Sequence, residues 1–141
     1  MSLDVTPELL DQAARGDVDE DAFVATVRTS LPYAYELIDG LVAGLHAGGT
    51  GYAGDAGYAG GPGYASNQVP PPSEAERGQL LRAMASDAIR ASLERHFGVR
   101  LAFQNCHRVA VFRPDTDEAV YRQFTSPRAQ ILNQSPELRD C

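Results

Sequence analysis

The sequence predicts a mainly α fold: a compact helical domain with one long central helix, a short β-hairpin after it and a disordered Gly/Tyr/Ala-rich loop. Three observations carry this. Ala34, Leu37, Ile38, Leu41, Val42 and Leu45 recur at the spacing of one face of an amphipathic helix. A second apolar face runs through Leu80, Leu81, Met84, Ala85, Ala88, Ile89, Ser92 and Leu93 to Phe97. Between the two, residues 47–72 repeat Gly-Tyr-Ala from Gly51, Gly57 and Gly63, a composition with a high ordering entropy and little to bury.

Local signals place each element. Thr6 before Pro7 is a capping residue followed by proline at the first helical position, and Gly16 stops that helix. Asp17 with Glu20 forms an acidic capping pair that opens a second helix, in which Phe23, Val24, Val27 and Leu31 share a face. Ser30 and Pro32 mark a third start. Pro70-Pro71-Pro72 ends the loop, and Ser73 with Glu76 is a capping box for the longest helix. Continued from Ser73 to Phe97 it would extend about 40 Å and form the spine of the fold; Gly98 is its expected stop.

Val99 to Phe103 alternates in the manner of a strand, and Val109 to Phe112 is rich in strand formers, with Gln104 to His107 carrying the turn. Asp115 with Glu118, Ser126-Pro127 and Ser135-Pro136 start three further short helical turns.

A chain of 141 residues fits a single domain, residues 1–141, with the loop 47–72 inside it. Its first residues lack the basic start and apolar run of a signal peptide, and no stretch approaches the ~20 apolar residues that span a bilayer. A cytoplasmic protein with no membrane partner is expected. Net charge is −7, and from Met1 to His46 nine acidic residues face two arginines. The acidic balance argues against a nucleic-acid partner, which requires a basic footprint. Residues 73–114 run the other way, with seven arginines against four acids. All 12 cations are arginine, so Schiff-base and lysine-nucleophile chemistry is excluded for this sequence.

The runs ASDAIRASLERHFGVRLAFQNCHRVAVF and LNQSPELRDC, with SLDVTPELLDQAARGDVDE and RTSLPYAYE, resemble a family of small conserved actinobacterial proteins of unknown function. The resemblance covers most of the chain outside the Gly-Tyr-Ala loop. It implies a mostly helical protein that associates as a dimer, and it brings no reaction and no catalytic residue.

Reactive side chains are few. Cys106 and His107 are neighbours in FQNCHRV, and His96 would approach them if the chain reverses after Gly98. A thiol nucleophile needs a base within hydrogen-bond reach, yet adjacent strand residues point to opposite faces. A small buried Cys106 and a turn residue His107 account for the pair more simply. Two cysteines, Cys106 and Cys141, are too few for a disulfide framework. His46, His96, Cys106, His107 and Cys141 show no metal-ligand spacing, so neither a metal nor a cofactor is expected. Arg100 and Arg108 could face each other across the hairpin and grip one anion, although the acidic first third offers the arginines many internal partners.

The balance favours a non-enzymatic protein acting by self-association, as a homodimer, or by binding a protein partner. The long helix and the stripe Leu37, Ile38, Leu41 would supply that surface. The alternative is an anionic-ligand-binding protein or enzyme with a pocket near FQNCHR, using His96, Arg100, Cys106, His107 and Arg108.

Overall fold

The computed structural model describes residues 2–48, 58–61, 63–105 and 107–133. Ser135-Pro136 and Cys141 lie outside them, as does Cys106.

Three helices open the chain: α1 (Pro7–Arg15), α2 (Glu20–Ser30) and α3 (Pro32–Gly48). Thr6 Oγ1 accepts from the Leu9 amide, Pro7 occupies the first turn, and Gly16 closes α1 at φ 74°. That positive φ suits glycine, which has no Cβ to clash. Helix α2 is capped by Asp19, whose carboxylate accepts from the Ala22 amide, so Asp17 is not the cap that the sequence predicted. A carboxylate at this end also meets the positive pole of the helix dipole.

Strands β1 (Tyr58–Gly61) and β2 (Tyr64–Asn67) follow. They fall inside the loop expected to be disordered, so eight of its residues are strand. The reason is partly local. Gly63 sits at φ 82°, and a Cβ there would lie 2.5 Å from Thr116 Oγ1, which donates to the Gly63 carbonyl. The third Gly-Tyr-Ala unit therefore starts strand β2 from a turn position, Gly63, that only glycine fits.

The predicted continuous helix from Ser73 to Phe97 is two helices, α4 (Glu74–Ala85) and α5 (Asp87–Phe97). Ser86 separates them in an extended conformation, ending α4 and capping α5 through an Oγ that accepts from the Ile89 amide at 3.3 Å. The sequence carried this signal in Ser86-Asp87, and the apolar periodicity running through the junction hid it. The long central helix is instead α3, with 17 residues. The capping box of Ser73 and Glu76 forms, and Gly98 ends α5 at φ 66°.

Strands β3 (Arg100–Gln104) and β4 (Arg108–Phe112) make the predicted hairpin. The chain then ends its described part in α6 (Glu118–Phe124), capped by Asp117 rather than Asp115, and α7 (Pro127–Asn133). The strands form one antiparallel sheet in the order β1-β2-β4-β3, so the last strand inserts between β2 and β3. Asn67 locks the insertion: its Oδ1 accepts from the buried Val109 amide at 2.7 Å and its Nδ2 donates to the His107 carbonyl at 3.0 Å.

Strand alternation divides the sheet into two buried faces. Ala65, Leu101, Val109 and Val111 point into the main core with Val27, Leu31, Ile38, Leu41, Leu45, Leu80 and Leu93. Ala102, Ala110 and Phe112 point the other way, under Phe124, Val120 and Tyr121 of α6. Burial on both faces explains why RVAVF reads as an almost unbroken apolar run. Within this core Ile38 and Leu41 are fully buried, so the stripe expected to form an association surface is consumed by packing.

Candidate functional site

Of the five residues singled out around FQNCHR, the four that are described, His96, Arg100, His107 and Arg108, do not share one of the pockets below: Arg100 and Arg108 line different ones. His96, at the end of α5, has its Nε2 3.3 Å from the Tyr35 hydroxyl and its ring against Phe97. His107 stands in the β3–β4 turn at φ 63°, beside Phe103. Burial, with a smaller contribution from the Arg77 charge, holds the His107 imidazole below its ordinary pKa. Cys106 lies outside the described residues.

Arg100 and Arg108 do not face each other. The register pairs Arg100 with Phe112 and Arg108 with Gln104, at opposite ends of the hairpin. Four residues of strand separate them by about 13 Å, too far for two forks on one small anion. Arg100 donates to Glu118 at 2.8 Å and lies 3.7 Å above the Tyr121 ring. The Glu118 hydrogen bond raises its already high pKa. Arg90 pairs with Asp87 and Arg95 with Glu20, each at 2.8 Å. The hydrogen bond from Arg95 holds the Glu20 carboxyl below the usual carboxylate range. Three of the seven arginines of residues 73–114 are thus met by acids (Asp87, Glu20 and Glu118), each at a helix start.

A surface site appears elsewhere. Helices α1 and α2 border a groove of ≈ 430 Å³ lined by Val5, Leu9, Leu10, Ala13, Val18 and Phe23, with Glu20 and Ser92 at its margin. Three of its large apolar side chains face solvent: Val5 is 47% exposed, Leu10 63% and Val18 46%. Helix α1 is strongly amphipathic yet buries only Leu9. It is tethered by polar contacts instead: the Asp19 amide donates to Gln12 Oε1 at 3.0 Å, and the Asp4 amide donates to Ser30 Oγ at 2.8 Å. Exposed apolar residues scattered singly are ordinary, whereas several converging on one concavity mark an interaction surface. Residues 4–21 also carry seven carboxylates against the single cation Arg15. Sequence reasoning found these helices but missed the groove. The available signal was the adjacent pair Leu9-Leu10, which cannot both enter one core from one helix face.

Among the described residues no three His, Cys, Asp or Glu side chains cluster to hold a metal, and no helix is long and apolar enough to cross a membrane. A family model described as NucS shadow ORF, its label also carrying the name KH, matches residues 1–141. No curated protein and no solved structure shows a significant match to the chain.

Proposed function

The chain belongs to the family described as NucS shadow ORF, and we propose that it is a non-enzymatic module that binds a protein partner through the α1–α2 groove. The observation that supports this is the convergence of Val5, Leu10 and Val18, all solvent-facing, on one concavity. The occupant that fits is an amphipathic helix with basic flanks. Its apolar residues at i, i+3, i+4 and i+7 would fill the groove, and its cations would meet the carboxylates of residues 4–21 other than Glu20, which Arg95 already holds. The same charge disfavours a homodimer built on this surface, because two copies meeting groove to groove would bring acid against acid.

The test is fluorescence anisotropy with a labelled basic amphipathic peptide and an acid-substituted counterpart. The basic peptide is expected to bind with a Kd on the order of 10 μM, weakening as salt rises. Leu10→Asp should weaken it about tenfold or more by placing a charge in the apolar centre. Equal binding of the two peptides, or a protein that sediments as a groove-occluded dimer, would overturn the proposal.

The family label favours a second reading. KH modules clamp four backbone nucleotides with a GXXG loop. In the order β2-α4-α5-β3-β4 the helix junction reads Met84-Ala85-Ser86-Asp87, with no glycine and a carboxylate where phosphates would approach. Beside it, a cleft of ≈ 520 Å³ along β3 includes Arg90 and Arg100, both already paired with acids. Glu94 there accepts the Leu101 amide at 2.9 Å, occupying a donor that the strand edge would otherwise offer. Single-stranded binding through this cleft would show as salt-dependent oligonucleotide affinity lost in Arg90→Ala; no affinity at low salt dismisses it.

A further inference from the structure

The outer face of the sheet and helices α6 and α7 enclose a pocket of ≈ 490 Å³, away from the α1–α2 groove. Among the described residues its lining contains two arginines, Arg108 and Arg128, and no carboxylate. In a chain of net charge −7 this gathers positive potential into one concave site.

Arg108 is held in place. Its Nε and Nη2 donate to Ser66 Oγ at 3.2 and 3.0 Å, and its guanidinium carbon is 5.8 Å from the centre of the Phe124 ring. Neither Arg108 nor Arg128 has an ion-pair partner among the described residues. That distinguishes them from Arg90, Arg95 and Arg100, whose charges are met. Tyr64 lines the same wall, its ring 6.5 Å from that of Phe124.

Gln104 is a buried amide in the same wall. It is only 4% exposed, lines the pocket, and donates through Nε2 to the Phe124 carbonyl at 2.8 Å. Its buried Oε1 has no donor among the described residues. A buried amide oxygen left in that state costs stability, and because it is closed to solvent no ligand in the pocket reaches it.

We propose that this pocket binds a small aromatic carboxylate. Guanidinium forks match carboxylates in geometry, so Arg108 and Arg128 take the acid group. Tyr64 and Phe124 flank the ring. The volume lies within the range of about 300–1,000 Å³ typical of small-molecule pockets. Arg108 alone is shared with the residues that the sequence grouped around FQNCHR, so the site is a different constellation.

The probe is 4-aminobenzoate, titrated calorimetrically against the full chain. Binding is expected, and Arg128→Gln should weaken it about tenfold, the scale of one lost charge-assisted hydrogen bond. Because Arg128 is exposed, that variant should melt at the wild-type temperature, which separates lost recognition from lost folding. Benzoate, which keeps the acid, should also bind, and aniline, which lacks it, should not. Absence of 4-aminobenzoate binding, or unchanged affinity in Arg128→Gln, overturns the proposal. Displacement by inorganic phosphate at equal concentration would overturn the aromatic ligand class.

Discussion

The two faces of the sheet are built differently from the same strands. The inner face meets α2 to α5 through a continuous aliphatic core in which Leu31, Ile38, Leu41, Leu45, Leu80 and Leu93 are fully buried. The outer face meets only the seven-residue helices α6 and α7, through the aromatic group of Phe112, Phe124, Tyr64 and Tyr121. Three polar side chains, Ser66, Gln104 and Arg108, point outward by strand alternation. The inner face supplies stability by removing apolar area from water. The outer face gives up part of that burial and keeps arginine and amide groups in a concave setting. Stability and recognition are therefore segregated across one sheet, four strands wide.

The contrast can be broken most severely from inside. Leu41→Ala should lower unfolding free energy by about 2–5 kcal/mol, the range for large-to-small changes in a packed core; chemical denaturation measures it. Phe124→Ala, by contrast, should release α6 and α7 locally. Hydrogen exchange should accelerate over residues 118–133 while the amides of α3 keep their protection. Simultaneous loss of protection in α3 would show that the two faces are one cooperative unit.

Next come the fasteners between strands. Asn67→Ala leaves the buried Val109 amide without its acceptor and should cost about 1–3 kcal/mol. Gly63→Ala meets both an unfavourable positive φ and the Thr116 side chain. It should destabilise β2 and its neighbours by at least about 1 kcal/mol.

The smallest effect concerns His107. Its folded pKa is depressed, so between the folded and unfolded values the unfolded chain binds more protons. The associated stability is therefore present above the unfolded value, about 6.5, and is lost as pH falls below it. His107→Asn keeps a residue that tolerates the left-handed turn and removes this titration. Melting temperature should fall less between pH 7 and 5 in the variant than in the wild type; parallel curves would contradict the assignment.

Legibility followed the range of the interactions. Helix ends at Thr6, Ser73 and Gly98 were readable because capping is settled within four residues. The hairpin of β3 and β4 was readable because its strand formers flank a short turn. Ser86 was misread because periodicity continues across the junction, and one extended residue decides the break. Strands β1 and β2 were missed because what orders them is distant: Val111 and Ala110 across the sheet, and Thr116 against Gly63. The candidate site was the least legible. Grouping His96, Arg100, His107 and Arg108 by proximity in sequence ignored the register, which puts the two arginines at opposite hairpin ends. The pair Leu9-Leu10 signals that one leucine stays outside, but the groove it borders depends on how α1 sits against α2, which is not local.

The most direct measurement is a two-dimensional amide NMR titration of the full chain with the basic amphipathic peptide. Shifts confined to Val5, Leu9, Leu10, Ala13, Val18 and Phe23, and abolished by Leu10→Asp, are what the groove predicts. Shifts centred instead on Ser86 and β3, with α1 silent, would contradict it.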